Sequence, residues 1–140
     1  VFAIRLEDGD RVPDALEQFA REQSVESALC MLIGGINGGK LVTGPEDGKA
    51  TKITPILTAI TDVHEVAAVG TIFPNSKGEP SLHMHGALGR DGETRTGCVR
   101  PGLDIWRLGE VVMLEITGSD MKRLVDPAFG FEILMKDEKE

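Results

Sequence analysis

The run Val63-His-Glu-Val-Ala-Ala-Val-Gly-Thr-Ile-Phe73, then Pro74-Asn-Ser-Lys-Gly-Glu-Pro80, then Ser81-Leu-His-Met-His-Gly-Ala-Leu-Gly89 decides the fold. Two apolar-rich segments of strand length flank a polar turn bounded by prolines, which is the pattern of a β-hairpin. Arg90-Asp-Gly92 is a second tight turn, and Thr94 to Arg100 reads as a third strand. A meander of this kind needs further strands or a helix to cover its apolar side.

Those elements are present on both flanks. Phe2 to Leu6 alternates apolar and polar residues as a strand does. Glu7 to Asp10 is a turn, with Asp10 placed as a helix N-cap. Val12, Ala15, Leu16, Phe19 and Ala20 recur at helical spacing, so an amphipathic helix is expected over residues 11–23, with Pro13 in its first turn. Ala28 to Ile33 is a continuous apolar run, short enough for a strand buried on both faces. It enters Gly34-Gly-Ile-Asn-Gly-Gly39, where the backbone must bend or approach something closely. No Gly-Lys-Ser/Thr follows, so the cluster is not a phosphate loop. Lys40 to Thr43 and Lys52 to Ile60 are weaker strand candidates. Glu110 to Thr117 is another strand, and Phe131 to Met135 is expected to close the sheet. Ser119 to Val125 reads as a short helical turn with Ser119 as its cap. The expectation is one α+β domain over residues 1–140, largely antiparallel sheet with one main amphipathic helix, ending in a charged, frayed tail at 136–140.

Composition narrows the function. The net charge is −8 and the basic residues are scattered. A domain that binds nucleic acid unaided usually presents a basic face, because phosphate contacts supply much of its affinity; DNA as a partner is therefore disfavoured. No stretch approaches the roughly 20 apolar residues of a membrane span, and no secretory signal is visible. Two cysteines, Cys30 and Cys98, make no disulfide framework. A cytoplasmic protein with reduced thiols is expected.

Two of the three histidines lie in His83-Met84-His85. On a strand, positions i and i+2 share a face, so the imidazoles project side by side, roughly 6–7 Å apart along the chain, while Met84 turns to the core. Cys98 lies across the next hairpin. A two-residue loop, Arg90-Asp91, sets His83 opposite Cys98, and a four-residue loop, Arg90 to Glu93, sets His85 opposite it; either even count puts all three on one face, whereas a three-residue loop turns Cys98 away and defeats the site. For the preceding hairpin, a five-residue loop, Asn75 to Glu79, brings Glu65 to that face, and a loop one residue longer or shorter brings His64. His64 is favoured slightly as a fourth metal residue, since imidazole suits zinc. Two imidazoles and a thiolate suit Zn²⁺ and leave a position for water or a small-molecule ligand. The bland alternative is a polar strand face beside a small core thiol. Asp62 and Glu65 are candidate bases, and Trp106 with Arg107 a candidate stacking pair, only where a pocket adjoins them.

His64-Glu-Val, Gly-Thr-Ile-Phe73, Gly78-Glu-Pro-Ser-Leu-His-Met-His-Gly-Ala-Leu-Gly89, Thr96-Gly-Cys-Val-Arg100 and Gly109-Glu-Val-Val-Met-Leu-Glu-Ile116 together resemble the PPC (plants and prokaryotes conserved) domain family. Phe2–Leu6, the helix and the Gly34-Gly-Ile36 bend extend the likeness over nearly the whole chain. The resemblance implies an α+β fold, similar to that of acetolactate decarboxylase, and a homotrimer with sheets packed around a threefold axis. Prokaryotic members that stand alone are often labelled DNA-binding, and plant relatives carry an AT-hook beside the domain; this chain has no Arg-Gly-Arg-Pro hook. In acetolactate decarboxylase, zinc ligands include a His-x-His pair, matched here by His83 and His85, and a later His, matched here by Cys98. The expected function is a homotrimeric binding or regulatory module with a zinc site; the alternative is a metal-dependent lyase or hydrolase acting on a small acidic metabolite.

Overall fold

The computed structural model describes residues 1–138. In chain order it contains β1 (Phe2–Glu7), β2 (Arg11–Val12), α1 (Asp14–Glu22), β3 (Ala28–Pro45), β4 (Pro55–Ala59), β5 (His64–Pro74), β6 (Pro80–Arg90), β7 (Glu93–Cys98), β8 (Leu103–Glu115), β9 (Met121–Val125) and β10 (Glu132–Lys136). The α+β expectation holds. Eight strands form one antiparallel sheet in the order β1-β8-β3-β5-β6-β7, with β2 added to β8 and β4 to β3; β9 and β10 form a separate two-stranded hairpin.

The hinge of the architecture is β3. Its first half pairs with β5 on one side and β8 on the other, and its far end meets β7 at Val42–Cys98. The sheet therefore curls until its outer strand returns to its central one. The glycine cluster makes this curl without ending the strand. Register against β8 shifts between Gly34 and Gly35 and again between Ile36 and Gly38, and such bulges bend a strand and raise its twist. Gly34 has φ 145° and approaches Leu108 and Gly109 so closely that no Cβ would fit.

The inner face carries Leu32, Ile36, Ile72, Met84, Leu88, Ile105 and Met113, all essentially inaccessible, under a helix that adds Leu16 and Ala20. Burial of Leu-sized side chains supplies roughly 1.5–3 kcal/mol each, which is how a chain with 4% aromatic residues can still stabilise a core. A second bond ties α1 to the sheet: Leu82 N donates to Glu17 Oε1 at 2.8 Å.

Four expectations about local structure are corrected. The helix begins at Asp14, because Arg11 and Val12 pair with Asp104 and Leu103 as a short strand. Asp10 accepts a bond from Glu7 N at 2.8 Å and does not cap the helix. Met121 to Val125 is a strand, with Ser119 Oγ accepting from Met121 N at 3.2 Å. The strand near Phe131 pairs with β9 and does not close the main sheet. In the segment expected to fray, Lys136 and Asp137 make ion pairs with Asp120 and Lys122; residues 139–140 lie outside the described residues.

Candidate metal centre

The β6–β7 hairpin closes on Asp91-Gly92, since Arg90 pairs with Glu93. Both turn residues have positive φ, 50° and 79°, as a type I′ turn requires. This register is the one that sets His85 directly opposite Cys98, so His83, His85 and Cys98 share the outer face. Their donor atoms all lie within 4.8 Å of one another. The two imidazole Nε2 atoms are 3.1 Å apart, with the rings nearly perpendicular at 78°.

Gly97 explains how Cys98 comes this close. A Cβ there would sit 2.3 Å from the Val42 carbonyl oxygen, so only glycine lets β3 cross β7 at that point.

The fourth position does not follow the sequence preference. Pro74 pairs with Pro80 across a five-residue turn, whose Asn75 Oδ1 accepts from Lys77 N (2.9 Å) and Glu79 N (3.0 Å). That odd count turns Glu65 to the histidine face and His64 away from it. His64 is buried on the opposite face, with Nδ1 3.0 Å from the Asp62 carbonyl oxygen, and is not brought to the trio. Glu65 pairs with Gly89, four residues from His85 and so about 13 Å along the strand. Trp106 stacks under its neighbour Arg107, 4.9 Å from guanidinium to ring.

The donor set was tested against a zinc ion by distance. Tetrahedral Zn–N bonds of about 2.05 Å place two ligating nitrogens about 3.3 Å apart, and a Zn–S bond of about 2.3 Å places sulfur about 3.5 Å from each. The observed 3.1 Å between nitrogens already matches, and the sulfur, within 4.8 Å of them, must close by up to about 1.3 Å, which side-chain rotation at Cys98 can supply; the residues fit. Partial burial, then the charges of Arg123, His85 and Arg100, hold His83 below its ordinary value near 6.5, which favours the neutral imidazole, the form that ligates. Cys30, by contrast, is buried with its thiol pushed up to about 12 by desolvation, an inert core residue.

Arg123 was not foreseen from sequence. It is 5% exposed and donates Nε to the Ser81 carbonyl (3.1 Å) and Nη2 to the Thr71 carbonyl (2.8 Å) and Oγ1 (2.9 Å). It thus pins the β9–β10 hairpin to β5 and β6 beside the histidines. Its partners are 42 and 52 residues away in sequence, a distance no local pattern records.

Next to the trio lies a cavity of about 680 Å³, bounded by His83, Cys98, Arg100, the Thr51–Pro55 segment and the Pro127–Phe131 loop. A single row of register partners also crosses the outer face: Ala3, Val112, Met31, Val69, His85, Cys98. Met31 is 45% and Val69 55% exposed.

A curled antiparallel sheet packed against one helix, with a His-x-His strand facing outward, defines a small α+β domain. The family model described as the Plants and Prokaryotes Conserved (PCC) domain matches residues 1–117, and the chain belongs to that family. Solved structures share the fold: a metal-containing protein from Archaeoglobus fulgidus (TM-score 0.82, 20% identity, covering 96% of this chain and 92% of that one), and a plant- and prokaryote-conserved (PPC) protein from Pyrococcus horikoshii (0.81, 18%, 99% and 92%). A protein from Ralstonia eutropha, named provisionally for DNA binding, is similar at 25% identity, TM-score 0.75, with 95% and 89% covered. Among curated proteins, the bifunctional protein GlmU of Synechococcus sp. (strain JA-3-3Ab) is 27% identical over 135 residues; the chain spans 20% of its length. The β9–β10 hairpin lies beyond the family match. No helix among the described residues is long and apolar enough to cross a membrane.

Proposed function

We propose that this chain is a metal-binding module that assembles as a homotrimer, with His83, His85 and Cys98 holding one zinc ion per protomer. The observation that carries the reading is the 3.1 Å separation of two imidazole nitrogens facing a thiol across one strand pair. When bound, zinc supplies a Lewis-acidic position open to a further ligand. The chain's own residues orient that position: the type I′ turn fixes the register, and Gly97 admits the crossing strand.

The exposed apolar row supports assembly, since a contiguous apolar sheet face on a soluble domain marks an interaction surface. A trimer packed through these faces would shield Met31, Val69 and Val112. DNA is the weaker reading of the family label, because a net charge of −8 opposes phosphate contact. Binding is favoured over lyase or hydrolase turnover by the cavity wall itself: among the described residues lining it there is no Asp or Glu to shuttle a proton.

Elemental analysis of protein purified without chelator, with light scattering for mass, tests both parts. About one zinc per chain and a mass three times 15.1 kDa are expected. A protein that takes up no added zinc overturns the metal reading, and a monomer at micromolar concentration overturns the assembly.

A further inference from the structure

The cavity beside the trio has a chemistry of its own. Its apolar part is built by Val42, Ile53, Pro55, Phe129 and Phe131, and the two phenylalanine rings stack at 5.8 Å with planes 30° apart. Its charged part is Arg100 and Lys52, both exposed and neither in an ion pair with any carboxylate among the described residues. Behind this wall sits buried Arg123, whose side-chain hydrogen bonds go to carbonyl and hydroxyl oxygens and which forms no salt bridge among the described residues. In a chain with eight more acidic than basic charges, two exposed cations without a paired anion line one cavity, with a third, Arg123, buried behind it.

We infer that this cavity binds a small organic carboxylate with an aromatic or branched apolar body. The carboxylate meets the Arg100 fork and Lys52, and the body lies against Phe129 and Phe131. A cavity of about 680 Å³ is within the range of sites for ligands of that size. A planar guanidinium matches a carboxylate through two parallel bonds. The inference rests on the proposed metal reading in one respect: His83 and Cys98 form the floor, so a zinc ion there faces the same ligand head. The hairpin that supplies both phenylalanines is latched to the sheet by Arg123 and lies outside the family match, so ligand choice belongs to this chain's own C-terminal segment.

Calorimetric titration with 1-naphthylacetate tests this, on protein stripped by chelator and on protein reloaded with zinc. Binding is expected in both states and tighter with zinc. The neutral amide, 1-naphthylacetamide, and plain acetate should each bind at least about tenfold more weakly, the lower range for loss of a charge-assisted bond or of the apolar body. Arg100→Met and Phe129→Ala, both at exposed positions that leave the core intact, should each weaken the acid at least about tenfold. Equal affinity for acid and amide, an undiminished affinity in Arg100→Met, or no binding in either state at millimolar acid overturns the inference. Binding to the stripped protein by a chain that takes up no zinc supports the inference while refuting only the metal reading.

Discussion

Replacing Gly97 by alanine tests whether the close crossing of β3 and β7 sets the position of Cys98. The added Cβ would stand 2.3 Å from the Val42 carbonyl oxygen, 3.0 Å from its carbon and 3.3 Å from Leu41 Cβ. An ordinary carbon–oxygen contact is about 3.3 Å, so the strands must part by roughly 1 Å. Val42–Cys98 is the register pair that joins them, and the displacement falls on the residue next to the substitution. Overpacking of this size costs about 1–3 kcal/mol. A ligand set tolerates only about 0.2 Å of error in each bond, so zinc affinity should fall by about ten- to a hundredfold, as when groups that orient ligands are lost. Urea unfolding measures the first effect and competition with a chromogenic zinc chelator the second. Gly48→Ala is the control, since nothing lies within 4 Å of its Cβ and its φ is not positive; it should change stability by less than about 0.5 kcal/mol. A Gly97→Ala protein with parental stability and parental zinc affinity would refute the reasoning.

Removing a donor should separate metal from fold. His85→Ala, at an exposed position, is expected to abolish stoichiometric zinc by elemental analysis with an unchanged far-ultraviolet circular dichroism spectrum; retained zinc would exclude the trio. Val69→Asp places a charge in the middle of the apolar row and should convert a trimer to monomer by light scattering, and an unaltered mass would put the interface elsewhere. Glu17 carries a pH dependence of definite sign. Burial first, opposed by the Leu82 N–H and reinforced by Asp14, raises its pKa above 4.5, so the native state holds the proton more tightly than the unfolded state. Its stabilising effect is therefore present below about pH 4.5 and is lost as pH rises through the raised value. Glu17→Gln keeps an oxygen for Leu82 and should gain in melting temperature over the parent between pH 4 and pH 7; a gap that is constant or shrinks contradicts this.

The parts of the site that depend on strand periodicity were legible, and those that depend on counting a turn were not. His83 and His85 share a face by alternation alone, and Met84 is 1% exposed on the other. Whether Cys98 joins them depended on the length of the next turn, which the sequence left open and the Arg90–Glu93 pair settles as even. His64 against Glu65 hung on whether five residues separate the strands. The five-residue count is enforced by an Asx turn at Asn75, a side-chain effect that strand alternation does not express. The strand at Leu103 to Arg107 was missed for a different reason. Arg107 has φ 62°, a conformation that alternation cannot express, and its N–H bonds to the Asp8 carboxylate across 99 residues.

The same contrast explains why the glycine cluster was hard to place. Its residues suggest a break, because glycine weakens a strand interior and favours turns. Tertiary pairing overrides that preference here. β3 has a partner on each side over most of its length, and a strand pinned by two ladders absorbs an irregularity as bulges. The bend then does what a loop could not, carrying the chain onward to Val42 with its hydrogen bonding continued. That places the Val42 carbonyl against Gly97, the neighbour of Cys98. The donors of the candidate centre sit on the adjacent strands β6 and β7, brought together by the Asp91-Gly92 turn, while the curvature at Gly34–Gly39 brings β3 against β7 beside them. A substitution that straightens β3 should accordingly act on the metal centre from a distance. Gly39→Ala, at φ 104° with a Cβ 2.1 Å from the Gly102 carbonyl oxygen, must displace the Gly102 turn that follows Arg100, and so disturb the cavity rim before it disturbs the histidines.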